Sequence, residues 1–131
     1  MALVFLVIAL VLVEYMLFGW QVARARVRYQ VPAPATTGNE VFERYYRVQM
    51  NTLEQLVVVL PAMLIFWHYW GAPLTALLGL LFIVGRAMYF FGYTQAPARR
   101  HAGFVVSSIP TVILIVGAIL GALRALITHG F

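Results

Sequence analysis

Arg47-Val48-Gln49-Met50-Asn51-Thr52-Leu53-Glu54-Gln55 leads without a break into Leu56-Val57-Val58-Val59-Leu60-Pro61-Ala62-Met63-Leu64-Ile65-Phe66-Trp67. The second half is wholly apolar, and the segment from about Arg47 to Trp70 is long enough to cross a bilayer, which takes about 20 mostly apolar residues. The first half is a polar turn and a half, and inside a membrane such an end must face protein or a ligand, not lipid. Pro61 removes one intrahelical hydrogen bond, so a kink is predicted there.

Three other runs have the same character. The first, from about Ala2 to Ala23, is broken only by Glu14 and Gln21. It lacks a basic leader and is too long for a signal core, although Ala23-Arg24-Ala25 superficially resembles a cleavage site; it reads as a retained helix. The third spans about Pro73 to Tyr93, with Arg86 inside it and Pro73 at its start, where a missing N–H costs nothing. The fourth runs from about Gly103 to Ile127 and contains Pro110 and a Gly117/Gly121 pair at GxxxG spacing, which permits close helix contact. Four crossings use roughly 80 residues. A chain of 131 residues that is 63% apolar and 10% charged is therefore no water-soluble globule. It reads as all-α, a single four-helix transmembrane domain over residues 1–131, with one real loop from Val31 to Asn39.

Nine basic residues, all arginine, stand against Glu14, Glu40, Glu43 and Glu54, for a net charge of +5. That sign suits anionic head groups or an anionic ligand. It does not suit nucleic acid, because the arginines lie between apolar runs and form no continuous basic face. Cysteine is absent, so any sulfur chemistry must arrive with a ligand. Arg24, Arg26, Arg28, Arg44 and Arg47 flank the first loop, and Arg99 and Arg100 lie in the third; the second loop, His68 to Ala72, has none. The positive-inside rule makes the arginine-rich face cytoplasmic and puts both termini on the other side with Arg124. His68 and His129 then face outward and His101 inward, so no three histidines converge on a metal.

Intramembrane charges need partners. Arg47, Asn51 and Glu54 share a helical face at i, i+4 and i+7, and Arg86, Tyr89 and Tyr93 do the same at i, i+3 and i+7. Counted from the cytoplasmic boundary, Glu54 and Arg86 both lie roughly 10 Å deep. They can meet as a structural ion pair, or Glu54 can accept a ligand ammonium with Arg86 as counter-charge; the two readings are compatible. The tyrosines read as interfacial belt residues or as the wall of a polar pocket. Glu14 finds no obvious partner at matching depth, which leaves a proton carrier, a neutral acid or a cross-subunit contact. Together these residues describe a cationic, tyrosine-lined site at the inner leaflet, suited to a small polyanion beside a lipophilic partner.

Phe42-Glu43-Arg44-Tyr45-Tyr46-Arg47-Val48-Gln49-Met50-Asn51-Thr52-Leu53-Glu54 closely resembles the signature of the MAPEG family, the membrane-associated proteins of eicosanoid and glutathione metabolism. Gly85-Arg86-Ala87-Met88-Tyr89-Phe90-Phe91-Gly92-Tyr93 resembles the second signature of that family, and Pro34 to Gly38 its first loop. The similarity covers essentially the whole chain and is closest to the microsomal glutathione transferase and leukotriene-C synthase branch. The resemblance implies a homotrimer that binds glutathione as co-substrate at each protomer interface toward the cytoplasm. By matching position it implies that Arg26, Arg47, Gln49, Asn51, Glu54, Tyr89 and Tyr93 hold the tripeptide. Arg100 matches the arginine that stabilises the glutathione thiolate, and Arg26, Gln49 and Arg100 reach the ligand from a neighbouring chain.

The chemistry agrees. Two carboxylates and an ammonium call for arginines and a glutamate. A cation beside the thiol favours its anion, and arginine does this as a fixed charge, not a base. The implied activity is glutathione transfer to lipophilic electrophiles, or peroxidase action on lipid hydroperoxides, with membrane lipid as the route of entry. Gln55 and Val27 depart from the leukotriene branch, which argues against a dedicated leukotriene synthase. Two alternatives stand beside it: a non-catalytic lipid- or partner-binding member of the family, and a small proton-coupled multidrug exporter built around Glu14.

Overall fold

The computed structural model describes residues 1–129, with His129 described in backbone only; a role for its side chain in metal binding lies outside the described residues. The order of elements is α1 (Ala2–Tyr29), α2 (Glu40–Trp70), α3 (Ala72–Gln95), one 3-10 turn (Pro97–Arg99) and α4 (Arg100–His129). All four helices are long and apolar enough to span a membrane, and no strand occurs among the described residues. Only helices and closed barrels satisfy every backbone polar group in lipid, which is why apolar runs of this length become helices.

The helices outrun the hydropathy pattern. α1 continues past Ala23 through the arginines to Tyr29, and α2 begins at Glu40, seven residues before Arg47. At 31 residues α2 is about 46 Å long, well beyond a hydrocarbon core of about 30 Å. Its start is fixed chemically, because the Asn39 side chain accepts hydrogen bonds from the backbone N–H of Val41 at 3.0 Å and of Phe42 at 3.1 Å. α1 stops at Gln30, whose left-handed φ of 54° turns the chain. The expected His68–Ala72 loop shrinks to Gly71 alone, since the helices continue to either side of it. Arg100 is likewise not a loop residue but the first residue of α4.

Short connections make the bundle run up, down, up, down, so α1 and α3 are parallel. The buried stripe of α1, Val4, Val7, Val11, Glu14, Phe18, Val22 and Ala25, follows the three-and-four spacing of an inward helix face. From Val7 onward, its apolar members pack into three layers. The first joins Val7 and Val11 to Val59, Met63, Phe82 and Leu114. The second joins Phe18 to Val48, Tyr89 and Phe90, and the third joins Val22 to Val31 and Phe42 near the arginine-rich loop.

The GxxxG pair does not bring two backbones together. A Cβ at Gly117 would strike the Phe66 ring and one at Gly121 the Tyr69 ring, so these glycines make room for aromatic side chains of α2. Close backbone approach occurs between α3 and α4 instead. A Cβ at Gly85 would meet the Ser107 backbone, and one at Gly103 would meet the backbone of Tyr89 and Met88.

Candidate functional site

The site begins where α2 meets α3. Thr52 donates its hydroxyl proton to the Val48 carbonyl oxygen at 2.7 Å, which leaves its oxygen free to accept. Arg86 fills that vacancy, donating from Nη2 at 2.6 Å and Nε at 3.2 Å. Both residues are 1% exposed, and a charge-assisted bond is strong where water is excluded. The Arg86 guanidinium carbon lies 4.1 Å from the centroid of the Tyr89 ring, a cation–π contact in a desolvated setting. At the other end of that ring, Asn51 Nδ2 donates to the Tyr89 hydroxyl at 2.7 Å. One chain of contacts therefore runs Thr52, Arg86, Tyr89, Asn51.

Gly103 supplies the third wall. Because it lets α4 touch the backbone of α3 at Tyr89, the first turn of α4 lies beside that ring. Asn51, Tyr89, Arg100, His101 and Phe104 line a cavity of about 400 Å³, within the range of small-molecule sites. Its lining combines an amide, a phenol, a guanidinium and an imidazole with the apolar ring of Phe104. Arg100 is exposed, with Nη1 3.5 Å from the Tyr93 hydroxyl oxygen and its guanidinium carbon 5.3 Å from the Tyr93 ring. Tyr89 and Tyr93 are neighbours, 5.6 Å between centroids. The arrangement can hold a polar, anionic molecule against Arg100 and an apolar one against Phe104.

The structure thus brings Asn51, Tyr89, Tyr93 and Arg100 together. Arg47 and Glu54 lie on the same helix as Asn51 but are exposed. Arg26 sits at the loop end of α1, donating to the Ala35 carbonyl oxygen at 2.6 Å beneath the Phe42 ring. Gln49 points at α1, where its amide nitrogen is 2.8 Å from the position of a Cβ on Gly19. Neither joins the cavity within one chain.

The expected Glu54–Arg86 ion pair is not formed. Their depths match, but Arg86 is satisfied by Thr52, and two residues along a helix are about 200° apart, which turns Glu54 to the outside. Glu14 has no hydrogen-bond partner at Oε2 among the described residues. It is 9% exposed and faces the bundle interior. The sequence reading missed His101, Phe104 and Thr52. For the first two the signal was their place in the helical turn that follows Arg100, and for Thr52 its place in the polar turn and a half of α2. Arg44 was read as a topology charge, yet it donates to the Gln95 carbonyl oxygen at 3.0 Å and ties α2 to the end of α3.

The sequence profile of the MAPEG family matches residues 3–120. The chain belongs to the MAPEG family. An uncharacterized protein of Synechocystis is 46% identical over 118 residues, 90% of this chain and 86% of that one. Mouse microsomal glutathione S-transferase 2 is 39% identical over 104 residues, 79% of this chain and 71% of its own. Guinea pig leukotriene C4 synthase is 36% identical over 106 residues, 81% of this chain and 71% of its own. Membership in MAPEG and four apolar spans make this an integral membrane protein of a family that includes glutathione transferases.

Proposed function

We propose that this protein is a membrane glutathione S-transferase. The observation that carries the reading is the cavity in which Asn51, Tyr89 and Arg100 converge with Phe104, in a chain whose relatives include a microsomal glutathione transferase. Glutathione is the co-substrate, and no metal is needed. Asn51, Tyr89 and Tyr93 hold the tripeptide, with Arg47 and Glu54 meeting its charged ends. Arg100, a permanent cation, stabilises the sulfur as thiolate.

The thiolate attacks an electrophilic carbon of a lipophilic substrate that enters from the lipid. A carbon–sulfur bond forms, the leaving group departs with its electron pair, and the thiol proton passes to water. With a lipid hydroperoxide, two glutathiones become the disulfide while the peroxide becomes an alcohol and water. Proximity and charge stabilisation supply the rate.

The active form in this reading is a homotrimer with the site toward the cytoplasm and both termini on the opposite face. Exposed Glu54 supports it, since a charge about 10 Å inside a span requires protein or ligand around it. Arg26 and Gln49, which lie off the cavity in their own chain, then complete a neighbour's site. The experiment is conjugation of glutathione to a chloro-dinitrobenzene by the purified protein in detergent. Turnover above the uncatalysed rate supports the enzyme, whereas glutathione uptake without turnover points to a non-catalytic binding member of the family.

A further inference from the structure

We propose that Glu14 is a positioning residue for this site, acting through Arg86. The inference rests on the reading that the cavity takes glutathione, but its structural basis is independent of the ligand. α1 and α3 run parallel and are held in register at two places. Nearer the start of both helices, a Cβ on Gly79 would touch the Val7 side chain. Further along, the Phe18 and Phe90 rings stack at 4.8 Å with planes 5° apart. The offset in sequence is the same at both contacts. Glu14 lies one helical turn before Phe18 and Arg86 one turn before Phe90, so the two charged residues stand abreast between the two anchors.

Both are buried, Glu14 at 9% and Arg86 at 1% exposed. Glu14 Oε2 has no hydrogen-bond partner among the described residues. Thr52, the hydrogen-bond acceptor of Arg86, is neutral and leaves its charge uncompensated. An unpaired charge in such a place is costly, and an opposite charge within reach offsets that cost. Glu14, which stands abreast of it without a direct hydrogen bond or ion pair to it among the described residues, is the group placed to supply that opposite charge, and it is absent from the lining of the cavity.

The consequence concerns which arginine the ligand meets. With Glu14 beside it, Arg86 is neutralised where it sits, on the Thr52 hydroxyl and against the Tyr89 ring. The ring stays fixed, and its hydroxyl holds the Asn51 amide at the cavity edge. Without Glu14, Arg86 is drawn toward the carboxylates of an incoming tripeptide, the Tyr89 ring loses its support, and Asn51 loses its orientation. Glu14 thus keeps Arg86 structural and leaves Arg100 as the cation that faces the sulfur.

The test uses Glu14→Gln, which keeps the shape and removes the charge, with Glu14→Asp as the conservative rescue. The KM for glutathione should rise about tenfold in Glu14→Gln, comparable to losing one hydrogen bond to a charged group, while kcat at saturating glutathione stays within about twofold. Glu14→Asp should recover most of the loss. A melting cycle without glutathione reads the link directly: Glu14→Leu and Arg86→Leu should each destabilise the protein, and the double variant should lose less than the two losses combined. A wild-type KM in Glu14→Gln, or an additive cycle, overturns the proposal. If the unaltered protein takes up no glutathione, the functional reading falls and the role at the site falls with it; the melting cycle still decides whether Glu14 holds Arg86.

Discussion

Gly103→Ala should damage the site more than its chemistry suggests. An added Cβ would overlap the Tyr89 backbone and lie 2.7 Å from the Met88 carbonyl carbon, where carbon atoms prefer 3.5–4.0 Å or so. None of these atoms belongs to a side chain that can swing away, so α3 and α4 must part by about 1 Å. Forced separation of a packed pair costs about 1–3 kcal/mol of stability. It also carries Arg100 and Phe104 away from Tyr89 and Asn51, and a misplacement of that size costs up to about a hundredfold in rate. Gly117→Ala is the control. Its Cβ meets only the Phe66 ring, in the layer remote from the site, so stability falls and kcat/KM for glutathione conjugation barely moves. Melting in detergent and conjugation kinetics on both variants decide the matter. Equal kinetic losses in the two, or an unaffected Gly103→Ala, would refute the reasoning.

Arg100→Ala should reduce kcat about 10²–10³-fold, the usual cost of removing one group that stabilises a developing or persistent anion, while calorimetry finds glutathione binding within a few-fold of the parent. Tyr89→Phe removes the acceptor of the Asn51 amide and should raise the KM for glutathione about three- to tenfold, read from initial rates at fixed electrophile. Asn39→Ala strips the cap from α2 and should cost about 1 kcal/mol in melting with no change in kcat.

The four helices were legible because lipid leaves an apolar chain so few structural options. Their ends were not, because hydropathy marks where the membrane stops and a helix rich in arginine can continue into water, as α1 does to Tyr29. Glu14 could not be placed from one helix alone, because the pattern within α1 does not say which residues of α3 stand beside it; its burial in the bundle interior emerges only when the two helices are packed together. Spacing put Asn51 toward Tyr89, and the hydrogen bond between them follows that pattern. It failed for Glu54 because depth alone says nothing about direction around the helix axis, and Thr52, one residue from Asn51, had the better angle to Arg86. The glycines show the same limit. The GxxxG pair was visible as a pattern, whereas Gly85 and Gly103, which set the α3–α4 distance, belong to no pattern within one helix and acquire meaning only when two helices are side by side.

The account depends on Arg100 holding a bound sulfur as its anion. Ultraviolet difference spectroscopy of the purified protein with glutathione at neutral pH tests this directly, through the absorption of the thiolate. A thiolate band that saturates with glutathione and vanishes in Arg100→Ala is the predicted result. Saturable glutathione binding without that band would contradict the claim.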